Sequence, residues 1–355
     1  MIAPYARPCA PPLWARGGQA QTLLGHFLPA GGAPLGSGVA GVERRELEVG
    51  SPAGDRIVVL DAGPTGGGPL DGVTVHLFHG LTGSSDSSYV RLAADVVRAR
   101  GARVRLFNHR GQGPGEGLAR GLYHSGSWPD LFAAVADARA RESAGERGRG
   151  LHVGVGFSLS ANTLLLGAAR AAGDAGCPDA VLAVNPPVDL AATADAIRAG
   201  FNRVYDRNFV AGLKRALGER RARDPATYGG LEVPRGASVR IFDERVTAPL
   251  AGYASADAYY ADCSSGPELA ALGVPSVVLS SADDPFVPAS TIAAAVERAR
   301  AARQDASPPL HLHLESTGGH LGYLARGAER RWLAGALGWY VEELVRAGRS
   351  RSTSG

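Results

Sequence analysis

From residue 73 onward, short apolar runs alternate with stretches whose apolar residues recur every three or four positions. Val73–Phe78, Arg103–Phe107, Leu151–Gly156, Ala180–Val184, Val274–Ser281 and Leu310–Glu315 are brief and bounded by turn residues, the pattern of buried strands. Between them, Tyr89–Arg100 sets Val90, Ala93, Ala94 and Val97 on one helical face. Trp128–Arg141, Asn162–Ala172, Thr291–Ala302 and Arg330–Arg346 are predicted as further helices, and Glu43–Glu48 and Arg56–Leu60 as two leading strands. Strands alternating with helices predict an α/β fold with a mainly parallel central sheet covered on both faces.

The alternation breaks between residues 186 and 270. Helical segments over Leu190–Arg198, Arg203–Leu217 and Ala256–Ala261 follow one another there with no strand pattern between them. This block is expected to be an inserted helical lid, dividing an α/β core made of residues 43–185 and 271–346. Residues 1–42 are rich in Pro and Gly and lack sustained periodicity, so an extension packing on the core is expected. Residues 347–355 are polar and are expected to be a disordered tail.

Composition narrows the classes. With 45% hydrophobic residues among 355, a large core is available, and one α/β unit with an insertion accounts for the length. The net charge of +3 comes from arginines spread along the chain, which argues against a nucleic-acid partner, since that needs a concentrated basic face. Arginines at 198, 203, 207, 215, 220, 221 and 223 read as a solvated helix face, though peripheral contact with a lipid surface stays open. No run of about 18 apolar residues occurs, so no integral membrane span is expected. The N-terminal residues lack the apolar stretch of a secretory signal. Cys9, Cys177 and Cys263 are odd in number and widely spaced; no disulfide framework follows, and a cytoplasmic setting is expected.

The chemistry concentrates at four places. Gly156-Phe157-Ser158-Leu159-Ser160 joins a predicted strand to a predicted helix, as in the G-x-S-x-G nucleophile elbow with Ser160 in the last glycine's place. Such a turn exposes the Ser158 hydroxyl above a helix N-terminus. His79-Gly80-Leu81-Thr82-Gly83 follows the strand Val73–Phe78, and the Leu81 and Leu159 N–H groups are the candidate oxyanion donors. Asp283 and Asp284 follow the strand Val274–Ser281; either can supply the acid of a triad, with Asp284 preferred and Asp283 competing as a turn cap. His320, in Gly318-Gly319-His320, follows the last strand, so Ser158, Asp284 and His320 occur in the chain order used by α/β-hydrolases. His311 and His313 share a strand face, and His26, His76, His109, His124 and His152 read as structural. No metal signature and no phosphate loop is present, so neither metal nor cofactor is expected.

Further segments carry a family resemblance. Gln19-Ala20-Gln21-Thr22, His79 through Asp86, Asn108-His109-Arg110-Gly111, Leu122 through Gly126, Phe242 through Pro249 with Tyr259-Tyr260, Asp283-Asp284-Pro285-Phe286 and Gly318 through Gly322 together resemble the YheT-type branch of the α/β-hydrolases, related to the ABHD1/ABHD3-like esterases and phospholipases. Two departures stand out: Gln19 replaces a family histidine, and Ser160-Ala161 replace two glycines of the elbow. The resemblance implies a serine hydrolase acting on short- to medium-chain acyl esters, monoacylglycerols among them. It leaves alcohol O-acyltransfer, phospholipase action, or non-catalytic ester or lipid binding on the same fold as alternatives.

Overall fold

A computed structural model describes residues 2–28, 35–36, 39–50, 53–144, 150–327 and 330–352. Its centre is one eight-stranded sheet: β1 (Val42–Val49), β2 (Asp55–Ala62), β3 (Val73–Phe78), β4 (Arg103–Asn108), β5 (Leu151–Phe157), β6 (Ala180–Val184), β7 (Ser276–Ser281) and β8 (Leu310–Glu315). The spatial order is β1-β2-β4-β3-β5-β6-β7-β8, parallel except where β2 pairs with β1 and β4. β3, β6 and β7 are buried along their whole length, as apolar strands covered on both faces must be.

The covering helices form two layers. α2 (Ser88–Arg98) and the last long helix, Trp332–Ser352, pack with Val75, Leu77 and Val155 on one face. α3 (Trp128–Ala144), α4 (Leu159–Arg170) and Ala289–Ala302 pack with Phe78, Val181 and Val278 on the other. In the predicted lid region, α5 (Leu190–Arg198) and α6 (Arg203–Arg223) are followed by short helical turns and α7 (Ala256–Cys263), so Ala289–Ala302 is α8 and Trp332–Ser352 is α9. α6 outruns its predicted end at Leu217 because Arg220 is buried, donating to the Gly121 and Arg110 carbonyls of the core.

One expectation needs correction. The tail expected to be disordered from residue 347 is helical through Ser352, continuing α9; Arg346 pairs with Glu342 and Glu343, Ser350 donates to the Ala347 carbonyl, and Gly348 lies close to Leu151. Residues 353–355 lie outside the described set. The N-terminal segment, expected as an extension packing on the core, contains the helix α1 (Gly18–Phe27), whose glycines permit a backbone-to-backbone contact that hydrophobic periodicity does not register. Among the described residues no helix is long and apolar enough to cross a membrane.

Candidate active site

β5 turns directly into α4 at Ser158, which adopts φ +53° and ψ −121°, a region that side-chain-bearing residues rarely occupy. The tightness of the turn dictates the glycine at 156: a Cβ there would lie 2.6 Å from the Ser160 carbonyl oxygen and 2.7 Å from the Ala161 Cα. Ser160, by contrast, has room. Its hydroxyl donates to the His79 carbonyl and meets His109 Nε2 at 2.7 Å, so the replacement of glycine inserts a bridge between the elbow and the loop after β3.

The three residues proposed from sequence converge. His320 Nε2 is 2.8 Å from Ser158 Oγ, and His320 Nδ1 is 2.8 Å from Asp284 Oδ2. Asp284 also accepts from the Phe286 and Val287 N–H groups and from Asn185 Nδ2 at 2.7 Å. Asp283 points elsewhere: it accepts from the Thr317 hydroxyl and from the Gly318 and Gly319 N–H groups, holding the loop that carries His320. Behind the acid stand two residues that sequence reading missed. Asn185, buried at φ +50°, accepts from the buried Tyr323 hydroxyl and passes an N–H to Asp284. Its place after β6 gave no signal beyond a strand end.

The loop after β3 is fixed by two tyrosines that were also missed as site residues. The Gly80 N–H donates to Tyr89 Oη at 3.0 Å, and the Thr82 N–H to Tyr123 Oη at 2.7 Å. Between them, the Leu81 N–H has no protein acceptor among the described residues. The same holds for the Leu159 N–H at the start of α4. Leu81 and Leu159 both line the cavity that contains Ser158 and His320. His79 is buried in this loop; its Nε2 accepts from the His109 N–H, and burial lowers its pKa to about 4, so it is neutral near pH 7.

α1 braces the histidine loop from outside. Thr22 Oγ1 accepts from the His320 N–H at 2.8 Å, and the buried Gln21 side chain bonds both the N–H and the carbonyl of Leu324. The backbones nearly touch: a Cβ on Gly18 would lie 1.6 Å from the Asp283 carbonyl oxygen, and one on Gly25 would lie 2.4 Å from Gly322 Cα. Gln19 accepts from the Tyr205 hydroxyl and donates to Asn202, tying α1 to the helical block of residues 186–270 as well.

The cavity beside Ser158 measures about 100 Å³ and is walled chiefly by apolar residues, among them Leu190, Ala194, Ile197, Leu213 and Phe286. Its wall also includes a carboxyl group, Asp243, only 9% exposed. Burial is the largest influence on Asp243 and raises its pKa from 3.8 to about 6, against the lowering effect of hydrogen bonds from Thr247 and Tyr260. Between those two values the folded protein binds more protons than the unfolded chain, so stability falls as pH rises from about 4 to about 6, and the full penalty persists above that. The cost is roughly 2–3 kcal/mol at neutral pH. Asp243→Asn is therefore expected to melt several degrees above the wild type at pH 8, with the difference vanishing near pH 4. A melting curve showing the opposite order at pH 8 would contradict this.

The remaining histidines sit as follows. His124 lines the same cavity and is held neutral by burial, with a pKa lowered to about 4, so it is a wall residue as well as a structural one. His76 and His152 pair with each other inside the core, at 3.0 Å. His313 accepts from Tyr340 Oη at 2.7 Å, and His311 packs near the same ring. Among the described residues no group of three His, Cys, Asp or Glu side chains could hold a metal ion.

Comparison with known proteins bears on the family and the fold. A family model described as the alpha/beta hydrolase fold matches residues 73–326. YheT of Escherichia coli is 30% identical over 251 residues, 70% of this chain and 69% of that protein. Phospholipase ABHD3 of Homo sapiens is 27% identical, over 71% of this chain and 58% of its own length. A monoacylglycerol lipase of Saccharomyces cerevisiae is 29% identical, over 74% and 57%. The chain thus spans little more than half the length of these eukaryotic relatives. Among solved structures, the Pyrococcus furiosus esterase Pf2001 superposes with a TM-score of 0.54 at 15% identity, covering 85% of this chain and 91% of that one. The 2,6-dihydroxy-pseudo-oxynicotine hydrolase gives 0.53 at 18%, covering 93% and 72%. At such identities the likeness concerns the fold.

Proposed function

The chain belongs to the α/β-hydrolase fold family, in the branch that holds YheT, and on that premise we propose that it hydrolyses carboxylic esters through Ser158, His320 and Asp284. The observation that carries this reading is the continuous hydrogen-bonded line from Ser158 through His320 to Asp284, in a cavity also lined by Leu81 and Leu159, whose N–H groups have no protein acceptor among the described residues.

Ser158 Oγ attacks the ester carbonyl while His320 Nε2 takes its proton, and the Asp284 carboxylate holds the Nδ1–H tautomer and stabilises the imidazolium. The Leu81 and Leu159 N–H groups receive the developing oxyanion, each such donor lowering the barrier by roughly 3–4 kcal/mol. His320 then returns the proton to the leaving alcohol. Water, deprotonated by the same imidazole, releases the acid and restores Ser158. Residues 186–270 act as a lid, since α5, α6 and α7 all contribute to the cavity wall. The apolar wall suits short- to medium-chain acyl groups, and the names of the lipase and phospholipase relatives support an ester or lipid substrate. The three cysteines, all free and buried, are compatible with a reducing cytoplasm.

Mass spectrometry after treatment with a fluorophosphonate tests the assignment. A single phosphonyl adduct on Ser158 is expected. An unmodified Ser158, in a protein shown to be folded, would count against an activated nucleophile and favour binding without catalysis.

A further inference from the structure

Asp243 is costly where it stands, and nothing in the proposed acyl transfer uses it. It opens a π-helical turn, Asp243–Thr247, in the block over the sheet. The Tyr260 hydroxyl donates to its Oδ2 at 2.7 Å, and Thr247, one helical turn on, supplies a second hydrogen bond. Both partners are neutral hydroxyls, and no Arg or Lys pairs with this carboxyl among the described residues. A buried carboxyl without a counter-ion is expensive, and such groups cluster where ligands bind. Asp243 shares its cavity with Ser158, Leu81 and His320. A carboxylate can accept about four hydrogen bonds, so two protein donors leave acceptor capacity for an occupant of the cavity.

We propose that Asp243, set among the apolar residues lining the Ser158 cavity and backed by Tyr260 and Thr247, selects ester substrates that carry a hydroxyl group able to donate to it. This rests on the reading of the site as an ester hydrolase. A hydroxyl is the donor that the site's own partners exemplify, since Tyr260 and Thr247 meet the carboxyl with hydroxyl groups, whereas the nearby Arg240 is paired with Asp257 outside the cavity wall. A plain alkyl ester leaves the carboxyl desolvated with an unmet acceptor; a hydroxylated one supplies the donor. The hydroxyl can belong to the alcohol half, as in a glycerol monoester, or to the acyl half, as in a hydroxy-acid ester. The recognition chemistry is the same, and substrate choice separates them.

The test compares kcat/KM at pH 8 for butyl octanoate, 2,3-dihydroxypropyl octanoate and the butyl esters of 3-hydroxy- and 8-hydroxyoctanoic acid. The wild-type protein is expected to prefer at least one hydroxylated ester by about tenfold or more over butyl octanoate. The preferred arm identifies which half carries the hydroxyl. In Asp243→Ala the preference should fall to within about twofold. In the isosteric Asp243→Asn it should fall about threefold, a neutral acceptor being roughly half as strong. Asp243→Asn decides the matter if the alanine variant does not fold. No preference in the wild type, or a preference unchanged in a folded variant, overturns this proposal while leaving ester hydrolysis intact. Failure of the wild type to turn over any of the four esters, with no adduct on Ser158, overturns the hydrolase reading and this proposal with it.

Discussion

Ser158→Ala is expected to lower ester turnover by about 10⁶-fold, the scale at which removal of a nucleophile in a Ser-His-Asp site leaves only positioning and oxyanion contacts. The fold should survive. Among the described residues Ser158 Oγ is hydrogen-bonded only to His320, and alanine meets the same backbone constraint at φ +53° that serine already tolerates. Measuring kcat on a p-nitrophenyl ester together with the melting temperature checks both halves. Turnover within tenfold of the wild type, after contaminating esterases are excluded, would remove Ser158 from the chemistry.

Asp284→Asn is expected to reduce kcat by about 10⁴-fold with little change in KM, because an amide facing Nδ1 favours the wrong imidazole tautomer and cannot stabilise its charge. The neighbouring substitution has a different signature. Asp283 accepts from the Thr317 hydroxyl and the Gly318 and Gly319 N–H groups, so Asp283→Asn should cost about 1–2 kcal/mol of stability through that loop and lower kcat by no more than about tenfold. Side-by-side kinetics and thermal melts of the two variants separate the roles. A larger kcat loss at Asp283 would reverse the assignment of the acid.

The difference between these two aspartates also marks where the sequence stops being readable. Strand ends followed by Gly-rich or Asp-rich loops located Ser158, the aspartate pair and His320, because each group occupies a turn at the end of a strand whose apolar run is visible along the chain. The helical breakdown after residue 186 was equally visible, since α5 coincides with the predicted Leu190–Arg198. What supports these groups was not visible. Tyr323 reaching Asn185, Thr22 reaching His320 and Tyr89 reaching Gly80 are contacts between residues whose local patterns say strand end, aperiodic extension and helix start. Asp243 lay within a motif that resemblance supplied, yet its burial beside the nucleophile depends on how the short helices between residues 225 and 263 stack, which no periodicity encodes. The elbow change at Ser160 read along the chain only as a departure from the family pattern; in three dimensions its hydroxyl occupies space between His79 and His109 that glycine would leave empty.

α1 has a temporal consequence. The residues that seat the His320 loop, Gly18 through Gly25, are synthesised well before their partners from Asp283 to Leu324; Thr22 and His320 are 298 positions apart. Contacts of such separation carry a large loop-closure cost, which slows their formation. On the ribosome, a nascent chain that has already made α1, Ser158 and the elbow still lacks the acid and the histidine that α1 is to brace. On the proposed reading, the catalytic line is therefore complete only once α1 docks against the loop that carries His320.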